Sequence, residues 1–496
     1  MNQPSNPYLL QDKVRKRWVK NGRRLSAYAG ASLGALVLAV VVLGLVFGGT
    51  ILNRYGKERA ERAYAEAHPG CALGMGKLDY AVGANRLVAQ SLTLSTANMT
   101  LKAGRISLTG VRWARLLWRK AALADVLAKA SLEATNLEVD FPQACYGIRC
   151  ARLRASAPAS ELIAQGTELR TLAGDAEFFA AHDYRTTRFH VVLPECRVLG
   201  LAYGELLRGK SHRAGSVRFS GPSFDALVDR DKPAEPFVKS PLMVHEALAA
   251  IRQPLRIDSL SITNGRLRYC ERVAAGADPG VLTFGAVSLS AEGIANRAEG
   301  PAGIRVQAQG DLMDAGTLKV LMTIPLAPPD FSLHYSGSLS AMDLTRLDAF
   351  LDIAEHTRIK SGSAKEASFD IDVKAGQARG HVRAIYRDLE IALLDKRTGS
   401  DKGLKNRAVS FLANELKIRH SNAPDLNPQT GSVKGLENRV VSFFANELKI
   451  RRANAPDASG SLKEGEVNYA RRPEDEFLQF AWFALRSGVL DVISHP

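Results

Sequence analysis

The chain has 496 residues, 46% of them hydrophobic and 24% charged, enough to bury sizeable cores in two or three domains. Its formal net charge of +15 suggests nucleic acid, but the placement of that charge argues against it. Seven basic residues (Lys13, Arg15, Lys16, Arg17, Lys20, Arg23, Arg24) crowd the N-terminus against one acid, Asp12, and no other basic run combines with aromatics as a nucleic-acid groove requires.

That basic arm, residues 1–25, runs into an uncharged stretch, Leu25 to Leu52, whose centre from Leu33 to Phe47 is almost wholly apolar. About 20 helical residues cross a bilayer core, so residues 26–52 are predicted to span a membrane once. The excess of basic residues before the span predicts a cytoplasmic N-terminus, with the bulk of the chain on the far, periplasmic side of an inner membrane. The competing reading is a cleaved signal peptide. It is disfavoured because charged residues separate the small-x-small site Ala63-Tyr64-Ala65 from an apolar run too long for a signal. Two GxxxG matches, Gly30 to Gly34 and Gly44 to Gly48, would let spans approach one another closely.

Residues 53–69 read as a charged, Ala-rich helical stalk stopped by Pro69-Gly70. Beyond it the pattern changes to period two. Leu92 and Leu94, Met99 and Leu101, and Ile106 and Leu108 alternate with polar residues, as half-buried strands do. Ser95-Thr-Ala-Asn98 and Lys102-Ala-Gly104 fall between the runs as predicted hairpin turns. A stretch with three prolines, 229–241, divides a β-rich region, 70–240, from a second one, 241–496.

The second region opens with a short predicted helix, Leu242 to Arg252. Strand pairs follow, including Leu255 to Ile262 and Arg266 to Tyr269 around a turn at Thr263-Asn-Gly265. Further alternating runs are Val287–Ala291, Ile304–Ala308, Leu318–Ile324, Phe331–Tyr335, Phe369–Val373 and Val382–Tyr386. Polar residues between the apolar ones predict an antiparallel sheet with one apolar face. Ser340-Ala-Met-Asp343 reads as a capping box before a helix carrying Leu344, Leu347 and Leu351. Residues 402–425 recur at 434–457 with 19 of 24 positions identical, a tandem duplication with too few copies for a solenoid. At the end, Glu476 to Ile493 is predicted as an amphipathic helix. Leu478, Ala481, Trp482, Leu485, Val489 and Val492 form its apolar face, widened by Phe477, Phe480 and Phe483, either capping the sheet or lying on a membrane or partner.

Catalytic motifs are absent from the sequence: no GxSxG, P-loop, HExxH or EF-hand loop occurs, and no two histidines stand at metal-ligand spacing. Asp370 and Asp372 share a strand face but alternate with Phe369, Ile371 and Val373, which reads as a solvated outer face. The expectation is therefore a non-enzyme without cofactor or metal. Of the five cysteines, none at CxxC spacing, Cys145 and Cys150 are near enough in sequence to pair in an oxidising compartment, with free buried thiols the alternative. A wide sheet cannot leave its apolar face in water. It folds on itself, is covered by helices, or holds something apolar.

Three places resemble the AsmA-like superfamily, which includes TamB- and YhdP-type proteins and a branch of envelope proteins. They are the anchor followed by Leu92-Thr-Leu and Ile106-Ser-Leu-Thr-Gly; the unit Pro254 to Tyr269 with Val281 to Leu289; and Ser336 to Ile371 with Tyr386-Arg-Asp-Leu389 and the helix containing Trp482. The resemblance implies a mainly β fold, a long curved antiparallel β-groove behind an N-terminal transmembrane helix, and a role in moving phospholipid for envelope homeostasis. A groove lining of Leu260, Ile262, Leu267, Val320, Met322 and Leu333 follows from the inward positions of the strands, and the same residues would be plain core in a closed sandwich. The alternative expectation is a scaffold that binds an envelope protein partner and no lipid. The chain is short for the family, and the duplication is a departure from it.

Overall fold

The computed structural model describes residues 61–62, 66, 70–81, 83–116, 122–233, 243–274, 276–297, 303–326, 330–394, 454–456, 462–473 and 475–493. The basic arm, the apolar stretch Leu25 to Leu52, nearly all of the stalk and all but three residues of the duplication lie outside them. Among the described residues no helix is long and apolar enough to cross a membrane.

The protein is mainly β, its strands forming one large, mostly antiparallel sheet. The first strands are β1 (Ala72–Gly74), β2 (Lys77–Ala81), β3 (Arg86–Thr96), β4 (Met99–Thr109), β5 (Ser131–Phe141), β6 (Tyr146–Ser156), β7 (Glu161–Thr171), β8 (Thr187–Leu199), β9 (His212–Ser220) and β10 (Ser223–Asp229). They are followed by β11 (Leu255–Arg272), β12 (Gly280–Ala295), β13 (Gly303–Leu312), β14 (Gly316–Pro325), β15 (Leu333–Leu339), β16 (Met342–Asp343), β17 (Thr357–Lys374), β18 (Gln377–Leu393) and β19 (Glu464–Ala470). Two compact units are distinguishable, and neither is continuous in sequence. One comprises residues 1–173, 192–219 and 248–258, the other 174–191, 220–247 and 259–496. The boundary expected near 240 lies outside the described residues.

In the first unit β3 to β7 form a meander whose apolar residues line up across five strands. One row is Leu94–Leu101–Val139–Ile148–Leu169 and another is Ala89–Ile106–Ala134–Leu153–Ala164. Between the rows the pairing skips one residue on every strand, at Ser91, Gly104, Asn136, Ala151 and Gly166. Ser91, Asn136 and Gly166 have left-handed backbones (φ +50°, +52° and +61°). The skipped residues face one another, so the register is unchanged across them, while the buried side switches there, from Leu92 and Leu94 to Leu87 and Ala89 on β3. Aligned across five strands, these residues form a transverse crease. Lys102-Ala-Gly104, expected as a turn, is part of that crease inside β4, because Gly104 lies against Asn136 where a Cβ would come within 3.2 Å of the Asn136 Cβ. The core sits under β2 to β6, with Leu92, Leu94, Ile106 and Ala134 fully buried. It is closed by Val126 and Leu127 of α2 (Leu123–Leu127), which follows α1 (Trp113–Leu116).

The second unit contains α3 (Asp175–Ala180) and a parallel pair, β10 beside β11. The expected hairpin at Thr263-Asn-Gly265 is not formed. β11 runs unbroken for 18 residues and Asn264 takes φ +53° within it. The Asn-Gly signal supplies one left-handed residue, and the strand runs through it without turning. After α4 (Tyr203–Leu207) of the first unit comes α5 (Val244–Ala249), within the expected helix. Asp343, not Ser340, caps the next helical segment by accepting a hydrogen bond from the Thr345 N–H. That segment is a 3-10 turn, Leu344–Leu347, leading into α6 (Asp348–Ala354). The last helix, α7 (Phe477–Ile493), lies on β18 and β19.

Candidate functional site

The apolar face of the second unit can be traced residue by residue through direct cross-strand partners. One row runs Ala291–Val306–Met322–Tyr335–Ile371–Gly380–Val467 from β12 to β19. Two residues along, a second runs Leu289–Ala308–Val320–Gly337–Phe369–Val382–Gly465 on the same face. The intervening positions are the outer face, Ser290–Gln307–Leu321–Ser336–Asp370–His381–Glu466, polar throughout except Leu321.

Burial is uneven along those rows. Under α7, Tyr335, Ile371, Val382 and Val467 are buried. The helix approaches so closely because small residues face one another. A Cβ on Gly465 would stand 2.0 Å from the Gly488 carbonyl oxygen, and one on Gly488 2.6 Å from a Val382 methyl. Phe480 anchors the near end against Phe331 (centroids 5.0 Å apart) and Tyr469, and the Tyr335 hydroxyl donates to the Ala481 carbonyl at 3.3 Å. At β12, α6 provides another cover, with the Phe350 carbonyl oxygen against Gly280 and the Phe350 ring 6.0 Å from Tyr269. The face also closes at one side, where Ile304 and Ile324 pair and are buried. Between these covers Leu289, Val306, Ala308, Val320 and Met322 remain partly exposed.

Of the six side chains expected to line a groove, Leu260, Ile262, Leu267, Val320 and Met322 are half-buried, while Leu333 is core. Val320 and Met322 fall in the two rows, and Ile262 meets Val287 beside Gly265. Leu333 is removed from solvent, paired with Val373 near the Phe331–Phe480 contact.

α7 docks through only part of the expected face. Phe480, Ala484, Gly488 and Val492 are buried, while Leu478 (66% exposed), Trp482 (40%) and Val489 (37%) point outward. Of the bulky residues expected there Phe480 and Val492 are buried, and between them the small residues Ala484 and Gly488 let two backbones meet.

Charge gathers elsewhere in the second unit. Along the parallel pair, Asp225 stands opposite Arg268 and Asp229 opposite Arg272, each joined at 2.7 Å, and Arg188 also pairs with Asp225. Glu271, buried beside them, accepts from Tyr269 and Arg230, both at 2.7 Å. Burial pushes its carboxyl above the ordinary value, with Arg230 and the Tyr269 hydrogen bond opposing. The Cys270 thiol, also buried, is pushed up to about 11 by desolvation, which leaves it unreactive at neutral pH.

On the outer face His334 stands between Asp372 (3.1 Å) and Asp370 (3.8 Å), an open, solvated arrangement that the sequence search did not connect. Among the described residues no three His, Cys, Asp or Glu side chains gather as a metal site. All five cysteines are free. Cys145 sits in the β5–β6 turn and Cys150 five residues along the chain in extended β6, roughly 16 Å at strand rise, so the pairing considered from sequence is not made.

No protein-family model and no curated protein matches this chain.

Proposed function

We propose that this is a membrane-anchored envelope protein whose partly open apolar face on β12 to β14 takes the acyl chains of phospholipid. The observation that carries this reading is the unevenness of one continuous face, covered by α7 and α6 and left half-bare at Leu289, Val306, Ala308, Val320 and Met322. Five partly exposed apolar side chains in adjacent rows form a patch that water disfavours and a fatty tail would cover. The apolar stretch Leu25 to Leu52 fits a tether to the inner membrane, with the sheet in the periplasm.

A scaffold reading has one observation in its favour, the outward stripe Leu478, Trp482 and Val489 on α7. Aromatic and aliphatic anchors of that kind suit an envelope protein partner. Native mass spectrometry of the purified full chain separates the two. Under the lipid reading phospholipid co-purifies, and Met322→Asp with Val320→Asp strips it from a protein whose β-sheet circular dichroism is unchanged. Lipid-free wild-type protein, or lipid retained by the double variant, sinks this reading.

A further inference from the structure

The first unit carries a feature that neither the groove nor the scaffold uses. An open depression of about 910 Å³ lies beside α1, with Val111, Trp113 and Pro158 among its lining and Arg112, Arg115 and Lys129 around it. Its size is in the range of small-ligand sites.

The aromatic wall is held rigidly. The Trp113 Nε1–H and the Tyr80 hydroxyl both donate to the Asn85 side-chain oxygen, and Asn85 Nδ2 donates to the Val111 carbonyl at 2.9 Å. The Tyr80 and Trp113 rings meet edge to face, with centroids 5.6 Å apart. Lys129 is brought to the rim by Gly110, whose φ of +72° and missing side chain admit the Lys129 carbonyl, which would stand 2.2 Å from a Cβ there. Among the described residues none of Arg112, Arg115 and Lys129 makes an ion pair, whereas most other arginines of this unit do, as in Arg149–Glu138, Arg154–Glu133 and Arg208–Asp125.

Three cations without carboxylate partners, set around a fixed indole and a proline, match an anion that carries an apolar portion. We infer that this depression binds a phosphate ester, with Arg112, Arg115 and Lys129 taking the phosphate oxygens and Trp113 and Pro158 the apolar part. Arginine suits the fork geometry of phosphate oxygens and lysine serves as a point charge. Arg112-Trp113-Ala-Arg115 opens a nine-residue run, Arg112 to Lys120, with four basic residues and two tryptophans, which is the signal for this site in the sequence. The inference goes beyond the acyl-chain reading and stands independently of it, since it rests on other residues in the other unit.

The test is calorimetric titration of the full chain in non-ionic detergent with dihexanoyl phosphatidic acid and, separately, inorganic phosphate. Saturable binding that weakens with salt is expected, at least about tenfold weaker in the Arg112→Gln, Arg115→Gln, Lys129→Gln triple variant. If the lipid binds about tenfold or more tighter than phosphate, and Trp113→Leu removes that advantage, the source is a lipid headgroup. Equal affinities overturn the ester assignment, because the apolar wall then contributes nothing. Lack of saturable binding by either ligand, or affinity unchanged in the triple variant, overturns the inference. The Val320→Asp, Met322→Asp variant keeps this titration intact, so failure here and failure of the groove are read separately.

Discussion

β3 to β6 of the first unit and β12 to β14 of the second share one grammar, apolar residues alternating with polar ones in rows that match across strands. The first is filled. Leu92, Leu94, Ile106 and Ala134 are out of solvent, with Val126 and Leu127 packed against the same core. In the second, Val306, Ala308, Val320 and Met322 keep part of their surface in water. Pattern does not separate them; the covering elements do. In the first unit a crease crosses five strands and α2 closes the core, while in the second α6 and α7 sit over other parts of the face. The lesson is that one apolar face per strand specifies which side is turned from water, and whether that side is packed depends on elements remote in sequence.

The largest expected effect tests that contrast directly. Leu94→Ala empties a fully packed position and should cost about 2–5 kcal/mol. Val320→Ala removes methyls already half in water and should cost less than about 1 kcal/mol. Urea unfolding of the two variants measures both, and equal losses would break the distinction between filled and open faces.

A smaller effect concerns the cover. Gly465→Ala puts a methyl where the Gly488 carbonyl now lies, and overpacking of this kind costs about 1–3 kcal/mol. α7 should lift, with faster hydrogen exchange across Phe477–Ile493 and a larger bare face. Unchanged exchange there would mean that the helix is not what closes the face over β18 and β19.

The smallest effect is one of pH. Burial raises the Glu271 carboxyl, so the folded protein holds that proton more tightly than the unfolded chain does. The contribution of this group to stability therefore falls as pH rises from about 4.5, the unfolded value, through the raised folded one. Over that interval thermal melting should show wild type losing ground to Glu271→Gln. A difference that stays flat with pH would remove Glu271 as the source.

Much of the β architecture is legible in the residues themselves. Alternation placed Ile304–Ala308, Leu318–Ile324 and Phe369–Val373 in strands, and period two leaves little freedom about which side chains share a face. Five of the six proposed lining residues are half-buried for that reason, while Leu333 is lost to the core by its place beside Val373.

What the chain alone determined is local: strands by their alternation, helices by spacing and caps, and one left-handed residue wherever Asn-Gly or a small residue permits it. The tertiary structure decided the rest. Whether a turn signal makes a turn or is taken into a strand depends on neighbouring strands, as Asn264 and Gly104 show. Which face of α7 docks depends on how near two backbones come, and Gly465 meets Gly488 only once the fold has brought them together. Local pattern acts through bonds and solvent along a few residues, whereas cover and close approach are set by side chains more than a hundred residues away, such as Tyr335 beneath Ala481.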